Sequence, residues 1–131
     1  MRLPLLLVSA LLFAVPLGAQ PVDWSNAKVV DVELSNYAFS PTTLTLQHGV
    51  PYRLHIVNKA GGSHNFLART FFAQATLDPS SSAVVKKGGV ELGGGESADV
   101  RLIAPQPGTF DVHCSHFMHS SFGMKGTIVV Q

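Results

Sequence analysis

"PGTFDVHCSHFMHSSFGMKGTIVV", residues 107–130, decides how this 131-residue chain is read. Its first half alternates. Successive side chains of a strand point to opposite faces, so Phe110, Val112 and Cys114 share one side while Asp111 and His113 take the other. The only cysteine of the chain therefore sits at a strand end with its thiol turned inward. Five residues later comes His119, and five after that Met124, giving Cys-x4-His-x4-Met across a loop that runs into a second strand, "KGTIVVQ" at 125–131. A soft thiolate, an imidazole and a thioether on one loop are donors suited to copper.

A trigonal copper site needs two nitrogens beside the thiolate. The loop supplies one at this spacing, so the other has to come from a distant part of the chain. "GGSHNF" at 61–66 offers His64, preceded by two glycines that let backbone come close. Asn65, next to it, is placed to hydrogen-bond across to the cysteine loop and pin the two halves together.

The remaining sequence reads as short strands. "VVDVEL" at 29–34 and "TLTLQHG" at 43–49 alternate apolar and polar residues, and "YRLHIVN" at 52–58 sets Tyr52, Leu54 and Ile56 against Arg53, His55 and Val57. "HNFLARTFF" at 64–72 opens as a strand, a short helical segment is expected near 71–77 before Asp78 and Pro79 end it, and "SADVRLIAP" at 97–105 adds another strand. About seven to eight strands punctuated by Gly, Pro and Ser indicate an all-β sandwich or barrel. "GGGES" at 93–97 lacks the Lys-Ser/Thr and helix of a phosphate loop and reads as a turn.

The N-terminus is a separate matter. "MRLPLLLVSALLFAVPLGAQ" has Arg2, an apolar run and small residues before Gln20, the pattern of a secretory signal covering 1–19. The run is broken by Pro4 and Pro16 and is shorter than the roughly 20 residues of a spanning helix. Residues 20–28 then form an N-terminal segment and 29–131 one domain, with no membrane span after cleavage. Loss of Arg2 would leave eight Lys and Arg against eight Asp and Glu. That balance gives no footprint for nucleic acid, and Lys86 and Lys87 are too short a basic run to supply one. An exported chain with one thiol cannot close a disulfide internally, so the thiol is hidden, paired with another molecule, or given to a metal.

With these motifs in order, the chain from about Val29 resembles the cupredoxins, the blue-copper family of plastocyanin, azurin and auracyanin. The resemblance rests on "SHN" upstream, "PGTFDVHC" into the cysteine, then His119 and "GMKGTIVV". It implies a Greek-key β-sandwich with one type 1 copper per chain, held by His64, Cys114 and His119 with Met124 as weak axial ligand. It also implies that Asn65 steadies the cysteine loop. A one-electron carrier in the periplasm or secreted, monomeric and with a redox protein partner, follows from the same likeness, and no enzymatic activity is expected.

The loop departs from the usual carriers by carrying Ser115, His116, Phe117 and Met118 between Cys114 and His119. Phe117, Met118 and Phe122 form a docking patch or cover over His119. His113 and His116 are accessory ligands or surface histidines, with a loop-backbone cap the expected role of His116. Met118 competes with Met124 for the axial position, although apolar packing suits it. These extra donors raise a second reading: a periplasmic copper-handling protein that buffers the metal or passes it to a copper-delivery partner.

Overall fold

The computed structural model describes residues 20–131 together with Ala14 and Gly18; the expected signal segment otherwise lies outside the described residues. Alternating sequence becomes alternating burial. β1 (Lys28–Ser35) buries Val32 and Leu34, and β2 (Ala38–Ser40) buries Phe39. β3 (Thr43–Leu46) buries Leu44 and Leu46, and β4 (Pro51–Asn58) buries Tyr52, Leu54 and Ile56, the face set by their period-two spacing. β5 (His64–Leu67) is followed by helix α1 (Arg69–Gln74), then β6 (Thr76–Leu77) and β7 (Gly89–Leu92). β8 (Ser97–Ile103), β9 (Gly108–His113) and β10 (Lys125–Val130) complete the chain.

These strands form two five-stranded sheets, in the orders β2-β1-β4-β8-β6 and β3-β10-β9-β5-β7. The pairs β1/β4 and β3/β10 are parallel, and the chain crosses repeatedly between sheets, as a Greek-key sandwich requires. Leu54, Ile56, Val100 and Leu102 of the first sheet meet Phe66, Phe110, Val112 and Ile128 of the second in one core. Each such side chain taken from water contributes roughly 1.5–3 kcal/mol before ordering entropy is set against it.

The helix lies earlier than its expected place near 71–77. Ala68, Phe71 and Phe72 are buried and Ala75 is half-buried, an i, i+3, i+4, i+7 stripe that places one helical face on the core from Ala68 onward. Ala75 is already extended at ψ 151°, and Thr76 and Leu77 pair with Ile103 and Leu102 of β8.

One buried polar residue carries the chain from the first sheet to the second. Asn58, fully buried at the end of β4, points its Nδ2 at the carbonyls of Gly62, Leu92 and Gly93 at 2.8, 3.1 and 3.0 Å, and its Oδ1 accepts from Ala60 N at 3.0 Å. The crossover 59–63 is thereby tied to the 93–96 turn, and β5 starts at His64. The close backbone approach occurs at Gly94, where a Cβ would lie 2.2 Å from the Gly61 carbonyl oxygen; Gly61 and Gly62 have open space, contrary to the expectation from "GGSHNF".

Candidate metal centre

Three donors converge at one end of the sandwich. His64 opens β5, Cys114 follows the last residue of β9, and His119 comes from the loop between β9 and β10. Cys114 Sγ lies 3.4 Å from His119 Nδ1 and 3.9 Å from His64 Nδ1. All three donor atoms fall within 4.8 Å of one another, the one such group of His, Cys, Asp or Glu among the described residues. The two imidazole centroids are 4.7 Å apart. His64 and Cys114 are completely buried and His119 is half-buried, so one ring edge of the site reaches the surface.

The loop's own backbone closes this arrangement. Cys114 N donates to Met124 O at 3.2 Å and Met124 N donates to His119 O at 3.1 Å, so the three residues of Cys-x4-His-x4-Met are locked together. Met124 is completely buried, whereas Met118 is 44% exposed and sits at φ 65°. That contrast favours Met124 over Met118 as the thioether of the interior.

Asn65 reaches the cysteine loop through side chain and backbone. Its Nδ2 donates to Ser115 Oγ at 2.8 Å, its Oδ1 accepts from Ser115 N at 2.9 Å, and its backbone N–H points at Cys114 Sγ at 3.5 Å. That N–H, together with the two side-chain bonds to Ser115, holds the sulfur in place beside the imidazoles. Burial, and then the neighbouring His119 and His116, hold the His64 imidazole below its ordinary value, with Glu91 acting weakly the other way. A neutral imidazole is the ligating form.

The other loop residues take different roles. His116 makes no loop-backbone cap as expected; its Nε2 bonds Glu91 Oε1 at 2.6 Å and its ring lies parallel to that of His119, at 16° and 5.4 Å between centroids. The reason is register: β7 pairs with β5 so that Glu91 faces Asn65, which brings a carboxylate beside the loop. His113 faces away from the trio into clefts shared with Asp111. Phe117 and Phe122 are 90% and 59% exposed, an apolar surface around the His119 edge rather than a cover. Sequence reasoning passed over Asn36, Tyr37 and Glu91. The first two follow a strand without a motif of their own, and Glu91 had no signal before strand pairing was known.

A buried cysteine sulfur, two imidazoles and an interior thioether form a soft donor set that fits copper and suits neither magnesium nor calcium, which prefer oxygen ligands. Residues 5–130 match the family model described as a cupredoxin-like domain. A comparison with curated proteins finds no match. Among solved structures, auracyanin B is similar at 27% identity with a TM-score of 0.59, covering 80% of this chain and 89% of that one. Auracyanin A, a "blue" copper protein from the photosynthetic bacterium Chloroflexus aurantiacus, is similar at 19% identity and TM-score 0.53, covering 79% and 99%. The McoA multicopper oxidase of Aquifex aeolicus has 15% identity and TM-score 0.64, with 86% of this chain matched to 31% of that one, a likeness of fold alone. With the fold, the donor cluster and a family match over nearly its whole length in agreement, the chain belongs to the cupredoxin-like family.

Proposed function

We propose that this protein is a one-electron carrier that works outside the cytoplasm, binding a single copper through His64, Cys114, His119 and Met124. The observation that carries the reading is the convergence of Cys114 Sγ with the Nδ1 atoms of both histidines at the end of a closed β-sandwich. Copper so bound would cycle between Cu(I) and Cu(II). The chain's own residues supply the rest. Cys114, His64 and Met124 are shut away from water, so the donors need little rearrangement between oxidation states. His119 is half-buried and its loop carries the exposed Phe117 and Phe122, which supports an apolar docking surface through which electrons pass.

The likeness to auracyanin B at 27% identity over most of both chains supports the carrier reading, and we assign the chain no catalytic role of its own. Export through residues 1–19 and a monomeric state belong to the same proposal. No helix among the described residues is long and apolar enough to cross a membrane.

A copper-handling role has one observation in its favour: Met118, a soft donor, is 44% exposed beside His119. Against it, His116 is engaged by Glu91 and is not a free second ligand. Voltammetry of the copper-loaded protein separates the two. A carrier gives a reversible one-electron wave and keeps its copper against a Cu(I) chelator; a handling protein surrenders the copper and loses the wave. Cys114→Ser abolishes the wave under the carrier reading, and its survival would remove the thiolate from the site.

A further inference from the structure

The turn between β1 and β2 reaches the metal centre from the opposite sheet. Ser35 and Ala38 are register partners, so Asn36 and Tyr37 make up the whole connection of a two-residue hairpin. Only the second of the two takes positive φ, a place that favours Gly or Asn. Here that place is held by Tyr37 at φ 82°, in the left-handed region that a bulky residue rarely occupies. Its ring meets His119 edge-on at 5.0 Å and Phe122 at 5.1 Å. Backbone strain of this kind persists where the surroundings over-determine it, and functional sites are such places.

Asn36 makes the closer contact. Its Oδ1 lies 2.9 Å from Nε2 of His64, whose ring is completely buried. The only other polar contact of that ring among the described residues is Nδ1 with Cys114 Sγ at 3.9 Å. A neutral imidazole carries one proton, and the hydrogen bond made by one nitrogen decides which nitrogen that is. An amide oxygen can only accept. The contact therefore requires the proton on Nε2 and leaves the lone pair of Nδ1 facing Cys114 and His119.

We propose that Asn36 is a positioning residue: it fixes buried His64 as the Nε2–H tautomer, so that Nδ1 is presented as a donor before metal arrives. The functional consequence rests on the reading of His64 as a copper ligand, but the tautomer does not. The hydrogen bond also joins the two sheets at this end, since Asn36 adjoins β1 and β2 of the first sheet and His64 belongs to the second.

The test is made on copper-free, nitrogen-15-labelled protein by long-range proton–nitrogen correlation of the imidazole rings. The parent should show His64 protonated on Nε2 alone. Asn36→Leu, close in size but without an acceptor, should give mixed or inverted tautomers, and Asn36→Asp, which keeps an acceptor oxygen, should restore the parent pattern. Cu(I) affinity, measured by chelator competition, should fall about 10–100-fold in the leucine variant and recover in the aspartate variant. A parent His64 protonated on Nδ1 overturns the proposal without any variant, so a leucine variant that fails to fold does not shelter it. A folded leucine variant with the parent tautomer overturns it as well. Should the tautomer follow Asn36 while the parent binds no copper, the positioning role stands and the copper reading falls.

Discussion

Replacing Asn65 with alanine removes the side-chain bridge between β5 and the cysteine loop. Three hydrogen bonds go: Nδ2 to Ser115 Oγ at 2.8 Å, Nδ2 to Glu91 Oε2 at 3.0 Å, and Ser115 N to Oδ1 at 2.9 Å. Ser115 and Glu91 are exposed, so water replaces the lost partner and each bond falls toward the low end of about 0.5–1.5 kcal/mol. Together they stabilise the fold by about 2 kcal/mol. In a domain of this size ~1 kcal/mol shifts the unfolding midpoint by ~3–6 °C, so copper-free Asn65→Ala should unfold about 6–12 °C below the parent by circular dichroism. Asn26→Ala is the control. It removes a bond of 2.7 Å to Asp23 Oδ2 in an exposed segment ahead of β1, and surface changes of that kind stay within roughly 0.5 kcal/mol. If Asn65→Ala unfolds no earlier than Asn26→Ala, the bridge does not hold the loop, and the coupling falls to the contact from Asn65 N to Cys114 Sγ and the pairing of Leu67 with His113.

Three further outcomes follow from the same geometry. Met124→Leu should leave a coloured copper protein with a raised reduction potential while Met118→Leu changes little, because Met124 is completely buried and Met118 is 44% exposed; voltammetry giving the reverse would move the thioether ligand to Met118. Gly94→Ala sets a Cβ 2.2 Å from the Gly61 carbonyl and should destabilise by about 1–3 kcal/mol or more, displacing the crossover into His64. A Gly94→Ala protein as stable as the parent in urea would show that this approach is not tight. For pH, burial lowers the folded-state proton affinity of His64 below its ordinary 6.5, so the unfolded chain binds the proton more readily. Stability of the copper-free protein is therefore full above pH 6.5 and declines as pH falls below it; a midpoint unchanged between pH 7 and 5 would contradict that sign.

The site was legible where it followed local rules. Period two through Phe110, Val112 and Cys114 turned the thiol inward, and all three are buried. His64 was found by chemical need, since one loop could not supply both nitrogens. The short helix was legible near Phe71 and Phe72, but its start was not, because the stripe that seats them begins at Ala68, the helix N-cap. β2 and β7 escaped notice because three and four residues between turns carry too little alternation to declare a strand. Asn36 and Glu91 were invisible for a different reason. Each matters through a side chain on another strand, Asn36 through His64 and Glu91 through Asn65 and His116, and no local pattern records such a meeting.

The central claim is that Cys114, His64, His119 and Met124 hold one copper as a type 1 site. Copper titration of the protein followed by visible absorption and electron paramagnetic resonance tests it directly. The expected result is saturation at one copper per chain, an intense thiolate-to-copper band and narrow hyperfine splitting. A colourless Cu(II) form with ordinary wide splitting, or two coppers bound with similar affinity, would contradict it.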